Sequence, residues 1–125
     1  MNDRYLYRGL CKESFKLGKK YWVEGGIHFS HGKPYIMVND LFSRIEVIPE
    51  TLRQCTGQKD SNDNLIFEGD IVKWGKIGIG TVVWLGFSWL IMHSCGDNNY
   101  VTFSSNGINI IGNIHDNPEL LEVIY

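Results

Sequence analysis

The chain has 125 residues, of which 43% are hydrophobic and 21% are charged, so it is long enough for one globular domain or two small subdomains and its composition excludes a disordered chain. Its formal net charge is −2, whereas a dedicated duplex-binding protein usually carries a basic excess. No apolar run approaches the ~18 residues of a membrane-spanning helix, and the N-terminus lacks the apolar core of a signal peptide. We therefore expect a cytoplasmic protein with no membrane partner.

The first 50 residues contain short β-patterned runs separated by glycine and other turn residues. The pair Gly25-Gly26 is predicted to end one strand, and Pro49 to end another because it lacks a ladder donor. The pattern predicts an antiparallel β meander over residues 1–50. Its predicted strands are 5–10, 21–24, 27–30, 35–38 and 44–48.

The second half, residues 51–125, has the stronger β pattern, in which β-branched and aromatic residues alternate between Gly and Asx turns. Successive short strands without intervening helices predict a small barrel or sandwich. The order of these strands resembles an SH3-like β-barrel, on which the N-terminal meander is expected to pack. The five predicted strands are 71–74, 81–85, 88–93, 100–103 and 108–114. Helix is expected to be minimal, confined to one or two turns at 117–121 and a brief turn at 40–43.

Acidic residues in two turns are candidate sites, but they are predicted to be structural. Asp60 begins a run spaced like the first ligands of a calcium loop, but Leu65 stands where that loop needs glycine, so we expect a polar turn. In Glu68-Gly69-Asp70, glycine can supply a positive φ, and one carboxylate is expected to accept backbone N–H groups.

Cysteine and histidine show no spacing typical of a metal or catalytic site. The three cysteines, Cys11, Cys55 and Cys95, form no CxxC pair and indicate neither a zinc site nor a disulfide framework, and they are expected in or near the core. The four histidines show no metal-ligand pattern. We expect no metal, no cofactor and no catalytic residues.

Four blocks of the sequence form an ordered set: Tyr7-Arg8-Gly9; Tyr21 to Gly25; Pro49 to Gly57 with Lys59-Asp60 and Ile66 to Val72; and Ile111 to Leu120. Together these blocks resemble the YopX family of phage and prophage proteins. One departure occurs where the family tends to have Asn-Gly and this chain has Asn62-Asp63, and we expect Asp63 to adopt the left-handed conformation at a small strain cost.

The resemblance implies a small, mostly-β protein made inside a bacterial host, in a family without established catalytic residues and with some self-associating members. We therefore expect a non-enzymatic interaction or assembly module that forms a homo-oligomer or binds a phage or host protein. The apolar segments 89–92 and 123–125 fit this expectation, since an interface would bury them.

The alternative function is nucleic-acid binding, and a hydrolytic enzyme is a third possibility. Small β-barrels bind single strands by stacking bases on exposed aromatic rings beside basic residues. Against this, Trp74, Trp84 and Trp89 lie in alternating strands, where burial in the core is the default expectation. The candidate contacts for nucleic acid or a partner are Lys16, Lys19, Lys20, Tyr21, Lys73, Trp74 and Lys76.

Overall fold

The computed structural model describes residues 6–38, 43–75, 78–85, 87–93, 100–102 and 107–121. The chain divides into two compact units, Met1–Cys55 and Thr56–Tyr125. Every pairing of neighbouring strands whose register is described is antiparallel. The mostly-β fold with minimal helix is confirmed for these residues.

The first unit is a sheet with one short helix inserted between its first two strands. Its elements are β1 (Leu6–Leu10), α1 (Lys12–Lys16), β2 (Trp22–Ser30), β3 (Lys33–Met37), β4 (Arg44–Glu46), a 3-10 turn (Pro49–Thr51) and the start of β5 (Arg53–Lys59). The strands lie in the order β4-β3-β2-β1-β5. The sequence pattern predicted neither α1 nor β5.

The predicted strand end at Gly25-Gly26 is wrong, because β2 runs through both glycines. Gly25 pairs with Tyr7 of β1, and a side chain at Gly25 would collide with the carbonyl oxygen of Met37. The missing Cβ therefore allows close strand approach in the middle of the sheet, and the glycine is not a breaker here.

The second unit holds the last residues of β5 and a five-stranded sheet. Its further elements are β6 (Leu65–Phe67), β7 (Asp70–Trp74), β8 (Gly78–Leu85), β9 (Ser88–His93), β10 (Tyr100–Thr102), β11 (Ile108–Asn113) and a 3-10 turn (Pro118–Leu121). In the five-stranded sheet the order is β10-β9-β8-β7-β11, and the end of β5 lies beside β6.

The closed barrel expected from the sequence is not found in the part of the chain that the structure describes. There, β10 and β11 are the two outer strands of the five-stranded sheet, and no ladder joins them. The meander β7-β8-β9-β10 is present, but the SH3-like closure is not confirmed. The predicted turn at 40–43 and the apolar segment 123–125 fall wholly or largely outside the described residues.

Each unit has its own hydrophobic core, built from residues that alternate along the strands. In the first unit the buried cluster is Val23, Ile36 and Val47. In the second unit it is Ile66, Val72, Val82, Ile91 and Ile108, with Trp74, Trp89 and Ile110 packed against it. Burial of each such side chain contributes about 1.5–3 kcal/mol, so these clusters stabilise the two sheets.

Candidate interaction surfaces

Polar residues of the ordered blocks hold turns, as Thr51 illustrates. Its hydroxyl accepts a hydrogen bond from the backbone N–H of Leu10 at 2.9 Å and donates one to the carbonyl of Ile48 at 2.6 Å. Thr51 is buried, so it satisfies backbone groups that water does not reach. In the same unit, a Cβ on Gly9 would press on the side chain of Val47.

Asp60 organises the predicted polar turn, which is confirmed. One carboxylate oxygen accepts backbone N–H groups of Asn62 and Asn64 at 2.9 Å, and the other accepts the N–H of Ile110 at 3.1 Å. Burial alone would raise the pKa of Asp60, but these hydrogen bonds outweigh it and hold the pKa below its ordinary value. Asp63, which directly follows Asn62 in this turn, has φ 67°, which confirms the left-handed prediction.

Two further blocks meet in the second unit. The carboxylate of Asp70 accepts the backbone N–H of Phe67 at 2.7 Å, as predicted for this turn, and Gly69 between them has φ 84°. The N–H of Ile114 donates to the carbonyl of Gly69 at 2.9 Å, which joins this turn to the block that follows β11. There, the Asn113 side-chain oxygen accepts the N–H groups of the next turn at 2.9 Å. Both blocks therefore maintain the fold.

The first candidate surface is the tip of the β8–β9 hairpin, defined here by Trp84, Leu85, Phe87 and Trp89. Phe87 is 93% exposed and Trp84 is 52% exposed, so the prediction that Trp84 is buried is wrong. The rings of Trp84 and Trp89 meet edge to face with centroids 5.0 Å apart, and Trp89 packs against the core of this unit. The tip thus presents apolar surface on a base that is fixed to the core.

The backbone conformation of Phe87 is also unusual for an exposed phenylalanine. Its φ is 72°, in the left-handed region that bulky residues rarely adopt. Glycine or asparagine would fit such a turn position with less strain. The sequence signal for this surface is the uncharged stretch from Ile77 to Met92 with a Phe beside a glycine between two strands, and it was not recognised as a site.

The second candidate surface is the lobe between β1 and β2, defined here as Cys11 to Tyr21. The backbone N–H of Cys11 donates to the carbonyl of Tyr21 at 2.8 Å, so the lobe starts and ends at one point. Four of the predicted contact residues lie on it with exposed side chains, and α1 within it has no buried residue. These predicted contacts are Lys16, Lys19, Lys20 and Tyr21.

The remaining predicted contacts lie in the other unit. Lys73 is exposed on β7, while Trp74 is half-buried, packs against the core and lies over Gly78. Lys76 lies outside the described residues. The structure therefore divides the six described candidates between two units, and among these six it brings only the lobe residues together.

The described residues offer no cluster suited to metal chemistry. Within the described ranges, no group of three or more His, Cys, Asp or Glu side chains could hold a metal ion. Cys55 is buried as predicted, Cys11 is half-buried, and Cys95 lies outside the described residues. No helix among the described residues is long and apolar enough to cross a membrane.

The family model for YopX protein matches residues 16–122. The chain belongs to the YopX family. A search of the curated proteins found no match. In this YopX chain, the blocks that carry the family resemblance hold strands and turns through Gly25, Thr51, Asp60, Asp70 and Asn113. The hairpin tip lies outside those blocks, and only Tyr21 of the lobe belongs to one.

Proposed function

We propose that this YopX protein is a non-enzymatic interaction and assembly module of phage or prophage origin, whose hairpin tip binds a second copy of the chain. The observation that carries the proposal is the exposure of Trp84, Leu85 and Phe87 at one end of a sheet. Exposed apolar patches of this kind mark interaction sites, because leaving them in water forgoes the free energy of burial.

The charge distribution favours a protein partner for this surface. No charged residue occurs between Ile77 and Met92, so the hairpin offers nothing to a phosphate backbone. Met92 on β9 is also exposed. Aromatic residues and methionine are enriched at protein interfaces, where large side chains are buried without charge.

The lack of charge also favours a second copy as the occupant. In a twofold-symmetric interface the same patch meets itself, so any charged group near the axis faces its own like charge. An uncharged aromatic tip avoids that repulsion. Two Phe87 side chains, each 93% exposed in one chain, would be buried by such an interface.

The backbone at Phe87 supports a role in binding. A left-handed bulky residue costs roughly 1–2 kcal/mol, and no packing of the almost fully exposed ring offsets that cost within the chain. The ring therefore contributes little to the stability of the monomer. Burial of the ring at an interface would explain why a bulky residue occupies this strained position.

Sedimentation velocity at micromolar concentration tests the proposal with wild type, Phe87→Ser and Phe29→Ser. Phe29 is the matched control, because it is an exposed phenylalanine near a different hairpin turn, in the other unit. We expect wild type and Phe29→Ser to form the same defined oligomer, and Phe87→Ser to dissociate. A strictly monomeric wild type, or equal behaviour of the two variants, contradicts the proposal.

Finer features of the expectation belong to the same proposal. They are an SH3-like arrangement of the strands in residues 51–125 and residence in the cytoplasm of a bacterial host. The consecutive antiparallel pairings of β7, β8, β9 and β10 support the strand arrangement. Family membership supports the rest.

A further inference from the structure

We infer that the lobe, Cys11 to Tyr21, binds single-stranded nucleic acid, with its lysines on the phosphates and Tyr21 stacked on a base. This goes beyond the proposed function, uses other residues and lies in the other unit. The two ideas therefore fail separately.

The lobe concentrates positive charge in a chain whose net charge is −2. Four lysines lie between Cys11 and Tyr21 against one acid, Glu13. Glu13 lies 3.9 Å from Lys16, but both side chains are largely exposed, so this pair holds neither group firmly. The lobe keeps a positive surplus.

The charge continues from the lobe onto β3. Lys12 donates a hydrogen bond of 3.0 Å to Glu46 on β4. That hydrogen bond, with attraction from Lys33 and Lys16, holds the pKa of Glu46 below its ordinary value despite partial burial. Lys12, Lys16 and Lys33 therefore all act on this one carboxylate.

Apolar and aromatic side chains alternate with these lysines. Tyr21 is 59% exposed, and Phe15 and Leu17 are also exposed, although the core of this unit lies nearby at Val23. An aromatic ring beside lysines is the combination that stacks an unpaired base and neutralises the adjoining phosphate. A duplex hides its base faces, so this chemistry selects a single strand.

The geometry favours nucleic acid over a membrane surface. Helix α1 has five residues, whereas helices that lie on membranes present a long amphipathic face. The lobe is instead a short loop whose two ends are joined by the backbone hydrogen bond between Cys11 and Tyr21.

The test measures binding of a short labelled oligothymidylate to the full chain by fluorescence anisotropy. With three lysines engaged, the affinity should fall about 20-fold between about 50 and 200 mM salt, since each phosphate contact on a single strand contributes about 0.7 to the slope. An abasic oligonucleotide of equal length should bind at least about five-fold more weakly, because it offers no base to stack.

Matched variants locate the site. Lys19→Gln/Lys20→Gln should reduce the affinity and flatten the salt dependence, whereas Lys59→Gln/Lys73→Gln removes the same charge from exposed positions of the other unit and should change little. Tyr21→Ser should abolish the preference over the abasic strand while circular dichroism shows an unchanged fold, since only the Tyr21 backbone closes the lobe.

Four outcomes overturn the inference. Equal binding of the oligothymidylate and the abasic strand would make the lobe a general polyanion surface, and tighter binding of polyglutamate would make it a surface for acidic proteins. Stronger loss in the Lys59→Gln/Lys73→Gln variant would move the site to the second unit. Binding to anionic phosphatidylglycerol vesicles but not to the oligonucleotide would assign the lobe to membranes.

Discussion

The turns built by the family blocks and the tip of the β8–β9 hairpin use their side chains in opposite ways. At Asp60 and Asp70, buried carboxylates accept backbone N–H groups and hold chain segments together. At Phe87 and Trp84, large apolar side chains face outward instead. The difference teaches that the ordered blocks which carry the family resemblance hold the fold, while the candidate interaction surface at the hairpin tip lies between those blocks.

The largest expected effect is a loss of stability at Gly25, in one of the blocks that hold the fold. Gly25→Ala would place a methyl group against the carbonyl oxygen of Met37, a backbone atom that moves only with its strand. We expect a loss of about 3 kcal/mol in the free energy of unfolding, at the upper end of overpacking costs. Chemical denaturation measures it.

Gly26→Ala is the control for this prediction, because nothing lies within 4 Å of a Cβ at Gly26. It should change stability by less than about 0.5 kcal/mol, as surface substitutions usually do. Equal losses in both variants would mean that any side chain is harmful at this point of β2, whatever it meets.

A smaller effect, about 2 kcal/mol, is expected for Asp60→Asn, which weakens hydrogen bonds from backbone N–H groups to a charged acceptor. The folded-state pKa of Asp60 lies below its ordinary value of 3.8. Its stabilisation is therefore complete above that value and is lost as the pH falls through the folded-state pKa. Thermal unfolding between neutral pH and about pH 2 should show a shallower decline in the variant.

Asp63→Asn is the matched control for Asp60→Asn. Asp63 lies in the same turn, but its side chain is 83% exposed and its partner Lys59 is 3.4 Å away, so the pair contributes little. An acid dependence altered by Asp63→Asn and not by Asp60→Asn would show that the buried carboxylate is not the group responsible.

The smallest expected change has the opposite sign. Phe87→Asn should raise the free energy of unfolding of the monomer by about 1 kcal/mol, because asparagine tolerates a positive φ better than phenylalanine. The same substitution should weaken self-association. Denaturation at a concentration where the chain is monomeric, together with sedimentation, measures both effects.

Phe87→Ala separates the two contributions at this position. Alanine keeps the left-handed strain but removes the ring, so it should lose association without gaining stability. Destabilisation by Phe87→Asn would give the ring a structural role and remove the main argument for the hairpin tip as an interface.

The sequence pattern predicted most strands because alternation and turn residues are local signals. β9 matches its predicted range, and Asp63 and Gly69 have the expected positive φ. β2 was divided wrongly, since whether a glycine breaks a strand or admits a neighbour depends on Met37, which is distant in sequence. β5 was missed because its polar run, RQCTGQK, lacks clear alternation.

The candidate surfaces were harder to predict for a related reason. The lobe lysines and Tyr21 were identified from composition, since basic and aromatic residues alternate there. The exposure of Trp84 was not predicted, because the position of a residue in a strand indicates which side it faces but not where the core ends. The boundary of the core depends on how the strands pack together, which the local sequence pattern does not contain.

The bond that closes the lobe at its base has a consequence for how this protein changes over time. Leu10 and Trp22 are already paired before the chain leaves the sheet, so the register of β1 and β2 is set without the intervening residues. Loops anchored in this way tolerate insertion and replacement. A different loop can therefore stand between Leu10 and Trp22 while the register of β1 and β2 is kept.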